Sequence, residues 1–161
     1  MNGTIVLGVG SRLGGDDAAG AYAVEKINRR LKKAKTSPSP PITAIDAATA
    51  PESYTSVIRR ERPALLVLVD AADMNLPPGS LRIISPERIV AASFSTHQMP
   101  LSAFMSYVKE FCGEVLLIGI QPGQTEAGKE ISTTVRQSVK KLAEAILEGR
   151  IAEIPMLEDR D

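Results

Sequence analysis

The sequence predicts an α/β fold: a doubly wound, mostly parallel twisted sheet of about five strands with helices on both faces. Three observations predict it. Apolar runs without alternation, "TIVLGV" (4–9), "ALLVLV" (64–69) and "EVLLIGI" (114–120), have the pattern of strands covered on both faces. Segments with apolar residues at helical spacing separate them, and repeated βα units imply a parallel sheet. The 161 residues suffice for one domain with a substantial core, read here as a single unit over 1–161.

The elements follow in order. After the first strand, Ala19, Tyr22, Ala23, Ile27 and Leu31 recur at helical spacing over about 16–34. The basic run "NRRLKKAK" (28–35) is the solvated end of that helix, running into the Pro/Ser loop "TSPSPP". "ITAIDA" (42–47) is a second strand, and "PESYTSVIRR" (51–60) opens a short helix with Pro51 in its first turn. "GSLRII" (79–84) alternates, as a more exposed strand does. Past His97, a helix is traced by Leu101, Phe104, Met105, Val108 and Phe111, with Pro100 in its first turn. Ile131, Val135, Val139, Leu142 and Ile146 mark a long last helix ended by Gly149, and the polar residues 149–161 read as a loosely attached tail.

Composition removes several function classes. The 19 basic and 19 acidic residues balance, which argues against a nucleic-acid binder. Cys112 is the only cysteine, so a disulfide within the chain and a cysteine metal cage are excluded, and its apolar setting suits a small buried side chain. No apolar segment approaches the length needed to span a membrane, and no signal peptide is evident. A cytoplasmic protein with no membrane insertion is the expectation.

"IVLGVGSRLGGDDAAG" (5–20) resembles a nucleotide-binding strand–turn–helix, but the fingerprint fails. Gly8 and Gly10 fit G-x-G-x-x-G, whereas the third position is Leu13 and the next glycine is Gly14. Asp16 and Asp17 occupy the turn where a phosphate would sit. Two unit charges about 5 Å apart at an effective dielectric near 20 repel by about 3 kcal/mol. No nucleotide cofactor is therefore expected. Helix capping accounts for one of these acids and leaves the other unexplained.

Ligands in doubly wound sheets bind beyond the carboxyl ends of the strands, at the switch point. Asp17 follows the first strand, Asp46 ends the second and Asp70 ends the third, in "LVDAAD". His97, the only histidine, lies in the polar loop "FSTHQMPL". If the first strand lies between the second and third, the three acids share one crevice. Carboxylates crowded in a partly dry pocket repel one another, and a divalent cation removes that penalty. Two oxygen ligands and an imidazole suit a borderline ion such as Zn²⁺ or Ni²⁺. Neither G-x-S-x-G nor H-E-x-x-H is present.

Five motifs in order, "LGVGSRLGGDDAAG", "DAATAPE", "LVDAAD", "STHQMPLS" and "IGIQP", resemble the hydrogenase maturation endopeptidases, especially the hydrogenase-3-type group. The resemblance implies a nickel-dependent hydrolase, an endopeptidase classed with the aspartic type. Such an enzyme removes a C-terminal extension from a [NiFe]-hydrogenase large-subunit precursor after nickel insertion. It places the metal-contacting residues at Asp17, Asp70 and His97, and implies that the substrate supplies the nickel. Asp46 matches an acid important for activity, here the candidate catalytic residue. Ser11 and Ala18 depart from the family's usual Asn and Gly. The polar loop from Gly123 to Lys129 is expected to be mobile and to contact substrate. Two other readings are a non-catalytic metal- or precursor-binding maturation chaperone on the same fold and, lower, a dinucleotide-binding enzyme.

Overall fold

The computed structural model describes residues 2–91, 93–94 and 100–158; of residues 90–99 no side chain is described. Strands β1 (Thr4–Val9), β2 (Ile42–Ala48), β3 (Leu65–Asp73), β4 (Leu81–Ile83) and β6 (Glu114–Ile120) form a sheet in the order β2-β1-β3-β6-β4. All neighbours run parallel except β4, which is antiparallel to β6. A two-residue strand, β5 (Ser93–Phe94), pairs antiparallel with the end of β3. The helices are α1 (Ala19–Lys33), α2 (Thr55–Glu61), α3 (Leu101–Val108) and α4 (Thr133–Leu147).

The uninterrupted apolar strands feed two cores, one on each face. Ile5, Leu7, Leu66, Leu68 and Leu117 point to the side that packs Ile58 of α2 and Phe104 of α3. Val6, Val67, Val69, Ile118 and Ile120 point to the side of Ala23 and Ile27 of α1 and Val139 and Leu142 of α4. Side chains of a strand alternate between faces, so a strand buried on both sides has no polar position to spare. Each fully buried Leu, Ile or Phe contributes about 1.5–3 kcal/mol against exposure.

With β1 between β2 and β3, the switch point falls at the carboxyl end of β1, where the glycine–aspartate loop begins. Helix α1 then returns in close contact with the sheet. A Cβ on Gly8 would lie 2.2 Å from the carbonyl oxygen of Gly20, so only two glycines permit this approach of helix and strand.

Three expectations are corrected. Strand β3 continues past Val69 to Asp73, so Asp70 lies within the strand, with Asp70 and Ala71 paired to Gly119 and Ile120. Residues 15–18 form a 3-10 turn, and the α-helix starts only at Ala19. The tail is not loose over 151–157. Ile154 and Leu157 are buried, and Ile83 donates to the Pro155 carbonyl (2.8 Å) while its own carbonyl accepts from the Leu157 N–H (2.8 Å). Two apolar side chains among polar neighbours, plus pairing to the exposed edge of β4, are enough to dock it.

Candidate active site at the switch point

The loop after β1 is built around Gly10, whose φ of +126° is one that side chains rarely adopt. Its N–H donates to the Ala48 carbonyl (2.8 Å), tying the loop to the end of β2. A Cβ at position 10 would lie 2.4 Å from the Asp17 main-chain oxygen and 3.3 Å from Asp70 Oδ1. The Asp17 backbone and the Asp70 carboxylate therefore flank the same glycine. The loop after β1 and the neighbouring strand β3 thus meet at Gly10, with the Asp17 side chain turned toward Gly14.

Their environments differ. Asp70 is fully buried. Asp17 is half-buried, and its Oδ2 lies 2.9 Å from where a Cβ of Gly14 would stand. Burial, and secondarily the charge of Asp16, raise the Asp17 carboxyl above its ordinary value of 3.8. This is the penalty that a cation removes.

Asp46 stands at the rim with both oxygens engaged. Oδ2 accepts from Arg12 Nε (2.7 Å) and Oδ1 from the Ala48 N–H (3.0 Å). The pair joins the β1 loop to β2, and Arg12 remains 60% exposed. His97 lies outside the described residues, and among the described residues no three ligand-type side chains cluster to hold a metal.

Asp16 has a role that sequence reasoning understated. It is fully buried and does not cap the helix that follows it. Oδ2 accepts from the N–H groups of Gly123 (2.8 Å) and Gln124 (2.7 Å) and from Ser132 Oγ (2.9 Å), while Oδ1 accepts from the Ser132 N–H (2.7 Å). Ser132 is the N-cap of α4, its Oγ accepting from the Val135 N–H. Asp16 is thus a helix-terminus acid after all, but for α4, which is remote in sequence. The loop from Gly123 to Lys129, expected to be mobile, is pinned at its start by Asp16 and again by a bond from the Gly128 N–H to the Leu13 carbonyl (2.9 Å).

Gln121, at the end of β6, was not among the sequence candidates either. Its buried amide oxygen accepts from the N–H groups of Met74 (2.6 Å) and Leu76 (3.3 Å), and its nitrogen donates to Asp73 Oδ1 (3.2 Å). It fixes the turn leaving β3 beside the same sheet edge. It is the Gln of the "IGIQP" motif, but its role as a buried amide satisfying main-chain groups is not visible in the local pattern.

The arrangement has a counterpart in known proteins. The family model for the HycI hydrogenase maturation proteases matches residues 21–149, beginning just after the glycine–aspartate loop. The hydrogenase 3 maturation protease of Escherichia coli K12 is 40% identical over 119 residues, 73% of this chain and 72% of that one. The solution structure of the endopeptidase HycI from Escherichia coli superposes with a TM-score of 0.83 at 32% identity, covering 100% of this chain, loop included, and 99% of that one. The crystal structure of a [NiFe] hydrogenase maturation protease HycI from Thermococcus kodakarensis gives a TM-score of 0.78 at 33% identity over 92% of each chain. The chain belongs to the hydrogenase maturation protease family and is, as a member, a hydrolase acting as an endopeptidase.

Proposed function

We propose that the chain removes the C-terminal extension of a [NiFe]-hydrogenase large-subunit precursor once nickel is in place, with Asp17, Asp70 and His97 as the groups that meet the metal. The nickel belongs to the substrate. The observation supporting this reading is that the Asp17 main chain and the Asp70 carboxylate flank Gly10 at the switch point of the sheet. A half-buried acid beside a fully buried one favours a cation that brings its remaining ligands with it.

Asp17, Asp70 and His97 would hold the substrate's nickel, which would supply Lewis-acid polarisation of the scissile carbonyl. Hydrolysis consumes one water, whose oxygen forms the new bond to the scissile carbonyl carbon as the C–N bond breaks and a proton passes to the leaving amine. Asp46 acts as a base only if it releases Arg12 or the Ala48 N–H, so its better role is to position the exposed Arg12 guanidinium at the rim. The loop Gly123 to Lys129, bonded to Asp16 and to Leu13, is the candidate precursor contact. Among the described residues no helix is long and apolar enough to cross a membrane.

The test is a mass measurement on a nickel-loaded precursor mixed with the purified chain. The expected result is a precursor shortened at its C-terminus by the wild type and uncut by Asp17→Asn. An uncut precursor with the wild type supports the chaperone reading instead.

A further inference from the structure

The geometry points to Asp16 as the positioning residue of this site: it does not touch substrate, but it holds the turn that presents Asp17. This rests on the reading of Asp17 as a metal-contacting acid.

The first argument is topological. Asp16 and Asp17 share one short turn, 15–18, and no side-chain hydrogen bond caps either that turn or α1 behind it. The turn follows a positive-φ glycine loop, and its local restraint is main-chain only: the Asp17 N–H donates to the Gly14 carbonyl (3.0 Å) and the Ala19 N–H to the Asp16 carbonyl. Long-range restraint is added by the Asp16 N–H, which donates to the Gln124 carbonyl, and by the Asp16 carboxylate, which accepts from four donors on residues 123, 124 and 132. These belong to the connection between β6 and α4, whose N-terminus presents a positive dipole end to the carboxylate. The β1 loop, the loop after β6 and the start of α4 are thereby tied together through one carboxylate.

The second argument is chemical. A carboxylate removed from water is tolerated only when its oxygens are filled, and here both are filled by charge-assisted bonds of 2.7–2.9 Å. Such a group is a stiff anchor. An asparagine keeps one oxygen and turns an NH₂ group toward N–H donors, so it cannot reproduce the set. Adjacent residues in a turn point apart, so an anchored Asp16 turns the Asp17 side chain the other way, where it lies against Gly14 while the Asp17 main-chain oxygen and the Asp70 carboxylate flank Gly10. Groups behind a metal ligand typically govern affinity by about 10–100-fold when removed.

The test is titration calorimetry of the full chain with Ni²⁺ alone, at low and high salt, with unfolding temperature recorded for each variant. Asp16→Asn is expected to weaken Ni²⁺ by about tenfold or more at both salt concentrations. Ser132→Ala keeps the Asp16 charge but removes one donor, and is expected to weaken Ni²⁺ by about two- to fivefold. If Asp16→Asn does not fold, Ser132→Ala carries the test. Wild-type affinity in Ser132→Ala, together with a loss in Asp16→Asn that fades at high salt, would mean that only charge matters and overturns the positioning role. Unchanged affinity in Asp16→Asn overturns it outright. The reading of Asp17 fails separately: in that case the wild type takes up no Ni²⁺, or Asp17→Asn binds as well as the wild type.

Discussion

Gly20→Ala sets two effects against each other. On helix propensity alone, alanine is preferred to glycine by up to about 1 kcal/mol, and Gly20 is the second residue of α1. The packing opposes this. A Cβ at position 20 would stand 2.5 Å from the carbonyl oxygens of both Val9 and Val69, and 2.6 Å from the Val9 nitrogen. Ordinary contact begins near 3.4 Å, so the Cβ is about 0.9 Å too close to rigid backbone on two strands. Relief requires α1 to lift from the sheet, at about 3 kcal/mol, the upper end of the usual overpacking cost. The net is about 2 kcal/mol of destabilisation, or roughly 4–8 °C in unfolding temperature for a chain of this size. Because α1 carries the 15–18 turn at its start, the same lift displaces Asp17, and processing should fall further than the folded fraction does. Thermal unfolding by circular dichroism checks the sign, and precursor cleavage below the transition checks the second part. An unfolding temperature equal to or above the wild type refutes the close-approach reasoning.

Other perturbations have equally definite outcomes. Phe104→Ala opens a cavity in the α2/α3 core, where the ring is fully buried, and should cost about 3–5 kcal/mol in urea unfolding; a loss under 1 kcal/mol, roughly, would contradict the core assignment. Burial pushes the Cys112 thiol up to about 11, so in the native state it should resist a thiol reagent at pH 8, roughly, and react on unfolding; immediate native labelling contradicts its burial. The raised Asp17 carboxyl binds a proton more readily folded than unfolded, so its contribution to stability is present below 3.8 and is lost as pH rises through the folded value. Asp17→Asn should therefore raise the unfolding temperature near neutral pH, with the gain vanishing under acid; a lowered neutral-pH temperature contradicts the assigned desolvation. Arg12→Ala frees Asp46 but removes only an exposed ion pair, so stability should change by about 1 kcal/mol or less while processing falls; a large stability loss would mean that Arg12 is a structural clamp.

How far the sequence speaks depends on the range of the interaction. Strand β6 is bounded at Glu114 and Ile120, as its apolar run predicts, and β1 lies between β2 and β3, as the shared crevice requires. These features are written in local pattern, because burial on both faces forces each position to be apolar. Strand β3 runs on through Asp70, Ala71 and Ala72 because β6 and β5 supply pairing partners, and small or charged residues carry little strand signal of their own. Asp16 was legible only as one of two adjacent acids, since all four of its donors lie more than 100 residues away. The pairing of Arg12 with Asp46 was hidden in the same way. The tail was misjudged because two apolar side chains, Ile154 and Leu157, decide its docking amid polar neighbours. Of the proposed metal-contacting set, the Asp70 carboxylate and the Asp17 main chain flank Gly10, the Asp17 side chain lies against Gly14, and His97 lies outside the described residues and rests on the motif resemblance.

The central claim is that the crevice beside Gly10 reads a metal ion. Diffraction data collected at the nickel edge from crystals soaked in Ni²⁺ test it most directly. The account predicts an anomalous peak within about 2–2.5 Å of carboxylate oxygens of both Asp17 and Asp70, ordinary metal–oxygen distances. A peak elsewhere on the chain, or none at a concentration that saturates binding in solution, would contradict it.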